Sequence, residues 1–465
     1  MSGSRLRALL GSAASVGAGY LVLGGAGYLF LAIASRVFDD AAYSALASVY
    51  LLVNIIGPGL FAAVEQETSR NVSTRLARGL DPRPVVRQLA LISAGLFAGI
   101  AVLTLALSPV LLPEVLHSDA VLLVGLLLAS ASYAVVSVTR GNFGGRRAFG
   151  RYGTSVGTEG TVRLIAGVVL AALALGGVVA TGATGGAGAY GLAFCLAPAV
   201  AVLLTARWFL PDIRGGAADG RAGSAAAPGT SAPDELPVTA AGEAFGGLAR
   251  GVGLLTVAWG LSLAIANAAP VVVSGLLPND AAGAATAATF SSAVVLARIP
   301  LFVFQGAQSL VLPSFAHAAA QSDPGALRRA VRPALLLVAA VGVAAILGSA
   351  VLGHWAGRIA FGPTFTSSNL LVTALMVGTV AGMAVQIVQP ALLALGHHRW
   401  VAGGWVLGAV VFAACFALPF APVTDAVIAQ LASAAVTIAV LGAVLGRALR
   451  SVPQQSEELS DVQPA

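Results

Sequence analysis

The sequence contains no lysine: every one of the 25 basic residues among its 465 is an arginine. A P-loop lysine and a Schiff-base lysine are therefore excluded, and with them ATP-driven work and imine chemistry within this chain. Charge of either sign is scarce, at 9% of residues against roughly 25% in an ordinary soluble protein. Cysteine is scarcer still. Cys195 and Cys415 both sit inside apolar runs, which excludes a disulfide framework and a cysteine-based zinc site and leaves them as small buried apolar residues.

What the chain has in abundance is apolar length. Hydrophobic residues make up 58% of it and the mean hydropathy is +0.90, which rules out a water-soluble fold. Apolar runs fall at about 11–35, 41–64, 89–112, 121–139, 162–180, 187–206, 252–276, 284–311, 334–352, 370–394, 401–417 and 426–445. At about 20 residues per crossing these are twelve transmembrane helices, and the 56 glycines suit the close approach of membrane helices. The fold class is all-α and polytopic. The first run follows Arg5 and Arg7 but exceeds the 7–15 residues of a signal-peptide core, so it is read as the first span.

Arginine distribution orients the bundle. Arg36 and Arg358 lie on one side and Arg163 and Arg298 inside spans, so the remaining 21 of the 25 share the opposite side. By the positive-inside rule that side is cytoplasmic and holds both termini. The asymmetry requires an even number of spans. The net charge of +6 follows this distribution, and no nucleic acid partner is expected.

The spans group into two sets. Residues 207–251 contain Gly215-Gly216-Ala217-Ala218 and Ala225-Ala226-Ala227-Pro228, the composition of a flexible linker. It separates an N-terminal lobe, 1–206, from a C-terminal lobe, 252–446, and a polar tail of 447–465 follows. The lobes resemble each other. Asp40-Ala41-Ala42 recurs as Asp280-Ala281-Ala282, Val86-Arg87 as Val331-Arg332, and Gly145-Arg146-Arg147 as Gly396-His397-His398-Arg399, in the same order. Six spans return the chain to its starting side, so the repeats run parallel about an axis along the membrane normal, as in transporters that rock between two states.

Polar residues within the spans mark candidate sites. On span 2, Ala47, Tyr50, Asn54, Pro58, Phe61 and Glu65 share one helical face, and on span 8 so do Ser291, Arg298, Phe302, Gln305 and Ser309. Adding 244 carries Asn54 to Arg298 and Phe61 to Gln305. Pro58 and Pro300 are expected to kink their helices. Asn54, Gln305, Ser291 and Asn267 can satisfy one another between packed helices. Arg298 is different, because a guanidinium near mid-span needs an anion or a wet route and no acid falls well inside any span. Phosphate, gripped bidentately, is the expected ligand. Arg163 is expected to pair with Glu159, four residues earlier at the cytoplasmic end of span 5. Arg36 either serves the site or pairs with Asp39 or Asp40. Glu65, near Glu67 and Arg70, either gates the cytoplasmic mouth or belongs to a solvated helix end. The five histidines lack metal-ligand spacing, and no metal or cofactor is expected.

Three segments carry a family resemblance: Ala34-Ser35-Arg36-Val37-Phe38-Asp39-Asp40-Ala41-Ala42-Tyr43, Arg146-Arg147-Ala148-Phe149-Gly150-Arg151-Tyr152-Gly153, and Arg298-Ile299-Pro300 through Leu312-Pro313. With twelve spans in two sets, the chain resembles the polysaccharide-type, O-antigen-flippase-like members of the multidrug/oligosaccharidyl-lipid/polysaccharide exporter superfamily. The resemblance implies that spans 1, 2, 7 and 8 line a central cavity in a bacterial plasma-membrane flippase. The substrate would be a polyprenyl-(pyro)phosphate-linked sugar for cell wall, capsule or exopolysaccharide, delivered by glycosyltransferases of the same pathway. Substrate binding would then fall on Arg298, Asn54, Gln305, Glu65 and Arg36. Span 1 lacks the charge of peptidoglycan-precursor flippases. Two alternatives stand beside this reading. A multidrug antiporter of the same superfamily would need an ion-binding carboxylate in a cavity span, for which Glu65 is the candidate. A polyprenyl-phosphate-sugar glycosyltransferase would use Asp39 and Asp40, but the longest outer loop, at about 353–369, is short for an active site.

Overall fold

A computed structural model of the chain describes residues 3–178, 186–214, 238–301, 304 and 324–449. Among these the regular structure is helical throughout. Span 1 is Gly3–Val37. Span 2 runs Asp40–Ala77 as two α-helices, Asp40–Asn54 and Ala62–Ala77, joined by the π-turn Ile55–Leu60. Spans 3 to 6 are Arg83–Ala106, Ala120–Gly145, Phe149–Leu175 and Gly186–Arg214. Span 7 is Val238–Leu276 and span 8 opens with Ala281–Leu296. Spans 9 to 12 are Pro324–Phe361, Asn369–Ala394, His398–Cys415 and Pro422–Ala448. Eleven described helices are long and apolar enough to cross a membrane. The twelfth, His398–Cys415, has 18 residues, about 27 Å of rise, close to the roughly 30 Å of a hydrocarbon core.

Both sets of six spans use one packing plan. Span 1 lies along span 5 as span 7 lies along span 11. The pairs 3 with 4, 4 with 6 and 5 with 6 recur as 9 with 10, 10 with 12 and 11 with 12. The two pseudo-symmetric lobes expected from the repeat are thus present as packing, not only as matched tripeptides. Outward faces carry bare apolar side chains such as Leu91, Val102, Leu203 and Val351, the surface that lipid covers. Close approach inside the N-terminal lobe depends on glycine: a Cβ on Gly19 of span 1 would stand 2.5 Å from the Gly153 carbonyl oxygen of span 5.

Helix enters the expected linker from both sides, reaching Arg214 and resuming at Val238, and 215–237 lie outside the described residues. The expected outer loop at 353–369 is largely helical, since span 9 runs on to Phe361. Both expected kinks occur. Pro58 lacks the N–H that would bond the Asn54 carbonyl, and the helix passes it as a π-turn. In span 8 the α-helix stops at Leu296 and turns at Ala297 and Arg298, just ahead of Pro300. Distortions of this kind concentrate at functional positions.

The lobes share a set of polar contacts at the end bearing Asp39. Tyr43 and Ser292 hydroxyls lie 2.9 Å apart, Ser44 and Ser274 hydroxyls 3.3 Å, and Ser35 donates to the Phe361 carbonyl at 3.1 Å. Arg36 donates to the Ile359 carbonyl, where a cation faces the C-terminal end of span 9. A narrow cleft lined by Ser35, Asp40, Tyr43, Ser292 and Thr364, with room for about 10 Å³, sits within this seam.

Candidate functional site

Span 5 carries Tyr152, Ser155, Glu159 and Arg163 at steps of 3, 4 and 4, so one face presents all four to the lobe interior. Span 4 answers with Tyr133 and Arg140. The Glu159 carboxylate is fully buried and both of its oxygens are engaged. Oε2 accepts from Arg140 at 2.7 Å, while Oε1 accepts from Arg163 at 2.5 Å and from the Tyr133 hydroxyl at 2.8 Å. Arg140 also donates to Ser155 Oγ and its carbonyl, at 3.4 and 3.2 Å, and the Arg163 guanidinium lies 4.1 Å from the Phe194 ring centroid. The expected Glu159–Arg163 pair is present but is not a helix-end ornament. It is half of a buried cluster with two cations on one anion.

The balancing anion is Glu65. Its helix continues twelve residues further to Ala77, so Glu65 is not at a solvated helix end; it is half-buried. The Tyr152 hydroxyl donates to its Oε1 at 2.5 Å, and the Tyr20 hydroxyl of span 1 lies 2.9 Å from that of Tyr152. Arg140 stands within electrostatic reach of both Glu65 and Glu159. Both acids lie on helices that run beyond the apolar stretches marking spans 2 and 5, and helix packing shields them from solvent. Glu67 turns away to Arg70, at 2.7 Å, and to Asn71.

The C-terminal lobe holds Arg298, 8% exposed, with different company. One Nη donates to Asn267 Oδ1 at 2.6 Å and the other to the Ala266 carbonyl. That carbonyl is the one left without a helical N–H by Pro270, four residues on. Both acceptors are neutral, and among the described residues the guanidinium has no ionic partner, where an unpaired charge is costly. Asn54 bonds its own helix, at the Tyr50 carbonyl, 2.8 Å away. Tyr50 sits within electrostatic reach of Arg298 and of Arg163, and so lies between the two lobes' charged groups.

Of the residues singled out in the sequence, Asn54 and Arg298 share this central region through Tyr50, and Glu65 belongs to the N-terminal cluster. Arg36 is exposed and occupied at the Asp39 end, away from all of them. Of its two expected roles, serving the site or pairing with Asp39 or Asp40, neither is seen: Arg36 donates to the Ile359 carbonyl, and Asp39 caps span 2 by accepting from the Ala42 N–H at 2.8 Å. Gln305 lies outside the described residues. Arg140, Tyr133, Tyr152 and Tyr20 escaped sequence reading. The 152–155–159–163 stripe is the sequence signal for Tyr152, and it begins ahead of the apolar run at 162–180; Tyr20, Tyr133 and Arg140 lie on other spans and have no comparable signal.

No family profile matches the chain. Uncharacterised proteins of Mycobacterium bovis and Mycobacterium tuberculosis are 31% identical over 156 residues, so the match covers 33% of this chain and about a third of the length of those relatives. Solved structures say more about architecture. A multidrug resistance MATE family transporter of the MOP superfamily, in an inward-facing conformation, superposes with a TM-score of 0.64 at 14% identity, covering 92% of this chain and 96% of its own. A Vibrio cholerae MATE transporter gives 0.64 at 15%, covering 96% and 97%. This is the MATE transporter fold. A Pyrococcus furiosus MOP superfamily transporter, whose binding pocket is described as of reverse polarity, has the same MATE-type fold with a TM-score of 0.60 at 15% identity, covering 95% and 96%.

Proposed function

We propose that this protein is a secondary transporter of the plasma membrane that moves its substrate outward by rocking its two lobes, in exchange for a cation taken up at Glu65. The observation that carries this reading is a carboxylate held inside a spanning helix by a single tyrosine donor, beside a second carboxylate already neutralised. An intramembrane acid of this kind is what an ion-coupled antiporter requires. The MATE fold supports it. In everted membrane vesicles, ethidium uptake into the lumen driven by an imposed pH gradient should fall to background in Glu65→Gln. Uptake equal to that of the unaltered protein would remove Glu65 from coupling.

A second reading rests on Arg298. A buried guanidinium with only neutral acceptors suits a substrate that brings an anion, such as a polyprenyl-phosphate-linked sugar. Depletion of the protein should then cause an inward-facing lipid-linked sugar to accumulate, and an unchanged lipid-linked pool would dismiss this reading. Either way the arginine asymmetry supports cytoplasmic termini. With Cys195 and Cys415 replaced, cysteines at Ser73 and Ala225 should react only with a permeant reagent and one at Ser118 with an impermeant one. The opposite labelling would reverse the direction of transport.

A further inference from the structure

Two carboxylates on neighbouring spans, Glu65 and Glu159, would by themselves make an oxygen-rich setting of the kind a hard metal cation seeks. Here that setting already contains a cation. Arg140 enters from span 4, anchored by Ser155 Oγ and its carbonyl, places Nη2 2.7 Å from Glu159 Oε2, and remains within electrostatic reach of Glu65. The other Glu159 oxygen is closed by Arg163 and Tyr133. Of about four acceptor positions on that carboxylate, three are used.

We infer that Arg140 is a built-in counter-cation between the two carboxylates, which makes the N-terminal lobe select protons and reject sodium. The inference rests on the proposal that Glu65 is the coupling group and names the ion. Every element packed around Glu65 is consistent with it. Tyr20 comes from span 1, Arg140 from span 4, and Tyr152 and Glu159 from span 5, so the near groups are two hydroxyls, one guanidinium and one occupied carboxylate. On the same helix Glu67 and Arg70 bond each other. From spans 3 and 7, Arg87 and Arg250 are exposed, and Arg83 approaches Asp81 at 3.8 Å. A sodium ion placed at Glu65 would need a shell of several oxygens and would face the Arg140 charge. A proton needs neither: it adds to one carboxylate oxygen, and the Tyr152 hydroxyl can rotate to accept from it. One proton bound at Glu65 changes the interior from two anions against two cations to one against two, and its release on the other side restores balance.

The experiment measures thermal unfolding of the purified, detergent-solubilised protein in sodium chloride against equal choline chloride. The unaltered protein should show the same midpoint in both. Arg140→Gln removes the resident cation and should gain a sodium-dependent rise of a few degrees, which Arg140→Lys should not show and which adding Glu65→Gln to Arg140→Gln should erase. A sodium-stabilised unaltered protein, or a folded Arg140→Gln protein indifferent to sodium, overturns the inference. Where Arg140→Gln does not fold, proteoliposomes containing the unaltered protein decide it: ethidium transport driven by a sodium gradient alone overturns the inference, and transport driven only by a pH gradient supports it. Loss of the Glu65 coupling reading shows separately, as pH-driven ethidium transport that survives Glu65→Gln.

Discussion

The interior of the N-terminal lobe carries Arg140, Arg163, Glu159 and Glu65, joined to Tyr133, Tyr152 and Tyr20, while the same helix plan in the C-terminal lobe encloses almost none of this. Adding 249, which carries the left-handed Arg147 after span 4 to the left-handed Gly396 after span 10, takes Tyr133 to Gly382, Arg140 to Gln389, Glu159 to Gly408 and Arg163 to Phe412. None of the matched positions is charged. The C-terminal lobe instead has Arg298 against an orphaned carbonyl, and elsewhere neutral contacts such as Trp405 Nε1 donating to Gln389 at 2.9 Å. The two lobes share one helix plan, and what they enclose differs. Among the described residues, the buried N-terminal cluster satisfies its charges mutually, while buried Arg298 in the C-terminal lobe bonds only neutral acceptors.

The comparison breaks most visibly at Glu159. Glu159→Gln leaves two guanidiniums in the N-terminal lobe with Glu65 as the sole nearby anion, and removing one partner of a buried ion pair costs about 3–5 kcal/mol. Folded protein recovered from membranes should drop sharply, measured by size exclusion of the detergent extract. Recovery unchanged from the unaltered chain would mean that the cluster is hydrated and contributes little. Arg298→Gln should behave oppositely. The amide keeps a donor for the Ala266 carbonyl, so stability should change by less than about 1.5 kcal/mol, while transport is lost. Arg298→Lys should recover transport only in part, because an ammonium keeps the charge without the guanidinium fork. If Arg298→Gln transports normally, the charge has no role in the cavity.

These two arginines also show what the sequence discloses. Arg298 stands out because an isolated charge in an apolar run has no local explanation, and its register with Asn54 follows from the repeat alone. Arg140 does not stand out. It lies seven residues past Tyr133 at the end of an apolar run, where arginine is normally a boundary marker, and only the helix that continues to Gly145 places it inside. Spans, lobes and kinks are legible because hydropathy and proline act locally. The cluster is not, because it joins residues 26 and 87 positions apart whose partners depend on how spans 1, 2, 4 and 5 pack.

A cross-link tests whether the seam at the Asp39 end must open for both lobes to work. Cysteines replacing Ser44 and Ser274, with Cys195 and Cys415 removed, stand where two short side-chain hydroxyls already meet at 3.3 Å. Oxidation should abolish transport and reduction restore it, with thermal stability of the oxidised form equal or higher. Transport that persists when the disulfide is complete would mean that the lobes move without separating there.

The smallest effect isolates why Arg298 needs Asn267 and Ala266. Pro270→Ala supplies the missing N–H to the Ala266 carbonyl. It gains a hydrogen bond worth about 0.5–1.5 kcal/mol and gives back about 0.4–1 kcal/mol through the freer unfolded chain. The net change in stability should therefore lie within about 1 kcal/mol. Its information is in combination. With Pro270 present, Arg298→Ala strands a buried carbonyl at a cost of about 1–3 kcal/mol; in the Pro270→Ala background that carbonyl keeps a partner and the same change should cost less. A double-mutant cycle on thermal or denaturant unfolding should yield a coupling of about 1 kcal/mol. A coupling near zero would show that Arg298 is not held by the carbonyl that Pro270 exposes, and its position beside Tyr50 would then have to be set by Asn267 alone.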